Sequence, residues 1–440
     1  MTKPLILSCF LDRRDVLAGL AVAALGPLSP RIANAGARQP VRLRAATETI
    51  GLDPPRPPIQ VISLQGTIPF TRARRDDLEL QLRNDLPGPV ALNMYGVDGA
   101  ASAEPLALRA AVSAGAEDSF TVRLGRAGTF FCDIRLFGEA EKHPSRPLAL
   151  IVEDDGAPQA DRDEVFLVED WRLRPDGTAI APGIEAKDTQ AVYTVNGQIT
   201  PEIALRPHQR LRFRFINGCQ RNVIALKIEG HEVRVMALDG APAEPFLARN
   251  SALVLAPGGR ADVHVDATAS PGSAVPILLH DGKEARPIAR LVTSAEQPVR
   301  PAPLPPAPAM PSDGLPVQLD LKGALRVDVA LGGAEPGWVP PASFTIAAPP
   351  VFHTKAGRTV VLALANRASV ATAFHLHGHH FRLLDRLDDG WKPFWLDTLA
   401  IEPGQTQRIA FAAEYAGRWL IESMATDWAA PRLVRWYSVE

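Results

Sequence analysis

One pattern recurs three times along this chain and restricts the folds open to it. An alternating run that ends in asparagine appears as Leu78–Asn84, Leu211–Asn217 and Val360–Asn366. A glycine follows each asparagine at nearly fixed distance, at Gly96, Gly230 and Gly378. Further on, glycines thirteen apart bracket another strand in each copy: Gly115 and Gly128, Gly259 and Gly272, Gly404 and Gly417. Three matched sets in one order argue for three copies of one unit. Within the copies the alternation has period 2, as in Arg210–Phe215, where the arginines take one face and Leu211, Phe213 and Phe215 the other. No long 3.6-residue periodicity follows residue 35, and the 41 Pro and 33 Gly separate short apolar runs. The expected fold is all-β, each unit of roughly 120 residues forming a Greek-key sandwich or barrel. The units are placed at 41–158, 159–296 and 315–440, and the Pro-rich segment 297–314 is a semi-rigid linker.

The first 35 residues are expected to lie outside that fold. Arg13 and Arg14 form a twin-arginine pattern, a weakly apolar run reaches Leu28, and Ala33-Asn34-Ala35 offers a cleavage site after Ala35. This is the pattern of a Tat signal peptide and predicts export to the periplasm. The apolar run is too short and too broken for a membrane span, so no transmembrane segment is expected. Four of the 47 basic and two of the 49 acidic residues lie in the signal, leaving 43 against 47 and a net charge of −4. No basic block stands out, so nucleic acid is not an expected partner. Removal of the signal takes Cys9 with it and leaves Cys132 and Cys219, which could pair in an oxidising compartment, although nothing in the sequence brings them together.

Four of the ten histidines fall within six residues, at His375, His377, His379 and His380. His375 and His377 stand two apart around Leu376, so on a strand both imidazoles share a face. Such a pair is ready to ligate copper or zinc, or merely to hydrogen-bond. Aligning the copies places Lys227 and Glu229, and Asn93 and Tyr95, where the third copy has this pair. The face is polar in all three, which suits a surface between units. Gly378-His379 aligns with Gly230-His231, which marks His379 as scaffold. His264 alternates outward as a solvated residue, and His143, His208, His280 and His353 carry no assigned role.

Over essentially the whole mature chain the sequence resembles a three-domain multicopper oxidase. Tyr193–Gly197, Arg212–Asn217, Leu238-Asp239-Gly240 and Leu255–Gly258 match that family's second domain. His375-Leu376-His377-Gly378, Trp395–Thr398 and Gly417-Arg418-Trp419 match its third. The resemblance implies three tandem cupredoxin-like Greek-key β-sandwich/barrel domains. In the family a trinuclear copper cluster lies between the first and third domains and a blue copper lies in the third. The ligands are largely absent here. The first His-x-His is Asn93-Met94-Tyr95, the second is Cys132-Asp133-Ile134, and the His-Cys-His is Glu422-Ser423-Met424. Thr372 replaces a further ligand, and Trp428 and Leu433 stand at the last histidine and the axial methionine.

The resemblance therefore implies the fold without the oxidase chemistry. By family geometry His377 would face Glu422, and Tyr95, Cys132 and Met424 would share a neighbouring position. No cofactor and no catalytic residue is expected. Copper is the alternative, held at a residual mononuclear site of His375 and His377 helped by Glu422, Cys132, Met424, Tyr95 or Asn93. The expected function is a non-catalytic binding or scaffold protein of the cell envelope, with periplasmic or cell-division proteins as partners. In its pattern of loss the chain resembles the copper-free, Tat-exported SufI/FtsP-like cell-division group. If it is an enzyme, the expectation is an oxidoreductase of the multicopper oxidase type.

Overall fold

The computed structural model describes residues 40–440 apart from 53–55, 67–70, 74–76, 139–141, 154–155, 333–334 and 386–389. Arg13, Arg14 and the cleavage site after Ala35 lie outside the described residues. Among the described residues, thirty strands and one four-residue α-helix, Arg135–Gly138, make up the regular structure together with three single 3₁₀ turns. The strands form six sheets, which come in pairs from three consecutive stretches of chain.

In the first pair, strands Glu117–Arg123, Asp77–Asn84, Val41–Ile50, Ile59–Gly66 and Ser145–Arg146 lie side by side in that order. The facing sheet runs Thr71–Ala73, Leu148–Val152, Gly128–Asp133, Asn93–Tyr95. Leu43, Leu80, Leu82, Val122, Phe130 and Leu150 close the core between them. The second pair spans Arg162–Thr293 and buries Phe166, Phe213, Phe215, Val263 and Leu279. The third spans Leu325–Val439 around Leu362, Phe374, Phe411, Trp419 and Ile421. In each pair, alternate side chains of a strand point inward, as period-2 geometry requires.

The repeated asparagine has one job in all three copies. Asn84, Asn217 and Asn366 are buried. In each, Oδ1 accepts the backbone N–H two residues on, from Leu86, Cys219 and Ala368 at 2.9, 3.0 and 2.9 Å. In each, Nδ2 donates to two carbonyls: Gly88 and Val112, Asn222 and Leu255, Val370 and Ile401. One side chain thus turns the chain at the strand end and pins a distant segment across it. The glycine of the repeat also has a common cause, since Gly96, Gly230 and Gly378 all have φ between 65° and 93°. At Gly378 a Cβ would in addition lie 2.3 Å from the Trp419 ring.

The strand Arg210–Asn217 is buried on both faces. Its arginine side does not face water. Arg212 and Arg214 pair with Asp262, Arg214 with Asp163, and Arg210 with Asp266. The Pro-rich segment lies over the Arg210 and Arg212 end of this face. Leu304 O accepts from Arg210, and Ala307 and Met310 pack on Met236 and Ala237. It is a strap on the second pair, not a free tether. His264, expected in solvent, is only 4% exposed because it sits on this covered face between Arg212 and Arg234. Cys132 and Cys219 are both free and buried in the cores of the first and second pairs respectively.

Candidate functional site at the seam between the first and third sheet pairs

His375 lies on strand Thr372–Leu376, whose neighbour Gly417–Ala425 carries Glu422 directly opposite it. Thr372, Phe374 and Leu376 point into the third core, so His375 and His377 point out, against the first sheet pair. There the strand Asn93–Tyr95 presents Asn93 and Tyr95, while Met94 and Cys132 turn inward to their own core.

Tyr95 stacks on the imidazole of His375, with ring centroids 3.8 Å apart and planes 24° apart. The Nδ1 of His375 lies 3.1 Å from the Asp397 carbonyl and 3.1 Å from Thr398 Oγ1. A carbonyl only accepts, so Nδ1 carries the proton and the Nε2 lone pair is left bare. Nε2 is buried and has no partner. Burial, with the nearby His377 charge, pushes this imidazole down to about 3, so it is neutral.

His377 is in the opposite state. Its Nδ1 lies 3.0 Å from Glu104 Oε1 and its Nε2 lies 2.8 Å from Glu422 Oε1. Burial disfavours the imidazolium, but the two carboxylates outweigh it and raise the group to about 10. Glu104 Oε1 also accepts the Leu420 N–H, and Glu422 accepts Asn93 Nδ2 at 2.6 Å and Arg432 Nη1 at 2.7 Å. Although burial acts against it, Glu422 is held well below the usual carboxylate range, by Arg432 and His377. A chain of alternating charge, Glu104–His377–Glu422–Arg432, therefore crosses the seam.

Beside it the three pairs meet. Arg260, fully buried, gives two hydrogen bonds to Asp397, at 3.0 and 2.8 Å, and the rest of its N–H groups to the carbonyls of Gly258, Asp239 and Thr129. His380 joins Asp98 at 2.8 Å and the Asp239 carbonyl at 2.9 Å.

Of the residues singled out in the sequence, the fold brings His375, His377, Glu422, Asn93 and Tyr95 together. Met424 shares the face but its sulfur meets Arg221 at 3.2 Å. Cys132 is not among them, because the strand alternation that exposes Tyr95 to the seam buries Cys132. His379 is scaffold, as expected, bonded to the Tyr437 hydroxyl at 2.7 Å. Sequence reasoning missed Glu104, Arg432 and His380. The first two had no local signal, while His380 was visible only as one more histidine of the cluster. Asp239, Asp397 and Arg260 were legible only as members or neighbours of quoted motifs.

Copper is the metal of the family that the sequence resembles, and two of its centres do not fit these residues. A blue centre takes a cysteine sulfur and two imidazoles. By the resemblance those positions fall to Ser423, Thr372 and Trp428; Thr372 bonds to Asn366 and Trp428 donates to the Ala181 carbonyl. The seam offers two imidazoles and a carboxylate where a trinuclear cluster needs eight imidazoles. Among the described residues one smaller set remains, because ligand atoms of His375, His377 and Glu422 lie within 4.8 Å of one another.

Three tandem double-sheet units with a buried polar seam between the first and third define a cupredoxin-type assembly. Residues 158–274 and 318–440, together more than half of the chain, match two multicopper oxidase family models. The chain belongs to the multicopper oxidase family. The multicopper oxidase MmcO of Mycobacterium tuberculosis is 23% identical over 457 residues, covering 88% of this chain and 86% of that protein. A multicopper oxidase structure from Pseudomonas thermotolerans superposes with a TM-score of 0.77 at 22% identity, over 91% of this chain and 98% of that one. The Lac15 structure from a marine microbial metagenome gives 0.74 at 24% identity, over 91% and 100%.

Proposed function

We propose that this chain uses the multicopper oxidase fold as a binding protein of the cell envelope and does not carry out four-electron copper chemistry. The observation that carries the reading is the charge chain Glu104–His377–Glu422–Arg432. Where the family holds metal, this chain holds an imidazolium whose two nitrogens are both engaged by carboxylates. Such a network locks two sheet pairs together and has no coordination position to spare on His377. Tat export to the periplasm and a role beside the division machinery, in the manner of the SufI/FtsP-like group, extend the reading by analogy.

A second reading is favoured by one observation. His375 Nε2 and Asn93 Oδ1 are buried without partners beside Glu422. A single metal ion held by His375, His377 and Glu422 would use the bare nitrogen, but it must first displace the proton of His377.

His375→Gln separates the two readings, because it removes the bare lone pair and leaves the charge chain intact. A deletion strain is complemented with this variant and scored for envelope and division defects, with protein level followed by immunoblot. Full rescue at normal protein level is expected. Loss of rescue at normal level would overturn the binding reading in favour of the metal.

A further inference from the structure

Away from the seam, a cavity of about 320 Å³ opens between the covered face of the second sheet pair and the Pro-rich strap. Its size is at the small-ligand end of protein sites. One wall is apolar, made by Leu247, Pro303, Leu304 and Pro306. The other is a polar row. His264 and Arg234 are register partners on adjacent strands, and Arg210 and Asp266 pair beside them. Arg210 and Asp266 are joined by two 2.7 Å bonds, and Arg210 also donates to the Leu304 carbonyl, so this pair's charges cancel.

Three polar groups at this cavity are left over. His264 lines it, is 4% exposed, and its Nδ1 is buried with no hydrogen-bond partner. Burial and the neighbouring Arg210 and Arg212 push its imidazole down to about 4, so it offers one N–H and one lone pair. Arg234 and Glu232 also line the cavity, and neither makes a side-chain hydrogen bond or ion pair among the described residues. A partnerless buried imidazole costs free energy that a ligand would recover. One free cation and one free anion beside an apolar wall define the complement: a molecule with a carboxylate, an ammonium and an apolar body.

We propose that this cavity is a binding site for a small zwitterion of the α-amino-acid class. Arg234 and His264 take the carboxylate, Glu232 takes the ammonium, and the side chain lies on Leu247 and the strap prolines. The site is independent of the seam and of the function proposed for it. Its position under the strap couples occupancy to how the strap seats on the second sheet pair.

Isothermal titration of the purified exported protein with L-leucine, L-proline, acetate, methylamine and inorganic phosphate tests the assignment. An apolar amino acid is expected to bind, while acetate and methylamine at the same concentration do not. Arg234→Gln and Glu232→Gln are each expected to weaken amino-acid binding about tenfold or more, since each removes a hydrogen bond to a charged group. Both positions reach solvent, and urea unfolding without ligand checks that the variants remain folded. Acetate or phosphate binding as tightly as the amino acids would overturn the zwitterion assignment. No heat with either amino acid, or undiminished binding in folded variants, would overturn the site.

Discussion

Arg260 and Asp397 meet through two parallel hydrogen bonds in a region with no solvent access, one residue from the second sheet pair and the other from the third. All five guanidinium N–H groups are used, so the pair avoids the usual penalty of a partly satisfied buried charge. Removing one partner leaves the other charge bare. Arg260→Met is expected to cost about 3–5 kcal/mol in urea unfolding. The double variant Arg260→Met/Asp397→Leu should recover part of that loss, and a double-mutant cycle reads the coupling directly.

The protonated His377 predicts a pH profile. Its folded value of about 10 lies above the ordinary 6.5, so its stabilisation is complete below 6.5 and is lost as pH rises toward 10. Glu422 is shifted the other way, below its ordinary 4.5, so its contribution is present above 4.5 and is lost on acidification. His375 and His264, held neutral well below their ordinary 6.5, lose their contribution as pH falls below 6.5, so stability should be greatest near pH 6.5. Measured by denaturant midpoint, His377→Gln should flatten the alkaline limb while lowering the plateau. An unchanged alkaline limb would mean that the imidazolium is not the group responsible.

The three asparagines make a separate prediction about the repeat. Asn84→Ala, Asn217→Ala and Asn366→Ala each remove two hydrogen bonds to carbonyls and one from a backbone N–H. Each should cost about 1–3 kcal/mol, and of similar size, since the lost bonds are the same in kind. Widely different costs in the three copies would argue against a common structural role. Unfolding midpoints of the three single variants supply the comparison.

The copper prediction follows from Ser423. Protein reconstituted with copper should lack the intense blue charge-transfer band, which needs a thiolate. Ser423→Cys alone should not restore it, because Thr372 and Trp428 supply no imidazole. Absorption spectra with metal analysis test both statements. One stoichiometric, non-blue metal that disappears in His375→Gln would instead promote the single-metal reading.

The fold was legible from the sequence because it is repeated. Period-2 runs, the asparagine and the positive-φ glycine are local features, and each recurs with the same cause. Half the seam was legible as well, since His375 and His377 show their common face by spacing alone. Glu104, 273 residues before His377, was not. Contacts across a seam depend on how whole sheets dock, and no local pattern records that. His264 was misplaced for a related reason. Its alternation was read correctly, but the covering strap comes from a Pro-rich segment whose composition suggests a spacer between units.

The strap and the shared arginine also bear on how the molecule comes apart. Ion pairs that span the seams make each sheet pair part of its neighbour's interior. A fragment beginning near residue 315 would carry Asp397, Glu422 and His377 to a surface stripped of Arg260 and Glu104. Calorimetry of residues 40–440 should accordingly show one cooperative transition instead of three, with a van't Hoff enthalpy close to the calorimetric one. Such a chain tolerates change along its outer loops but has no seam at which it can be divided.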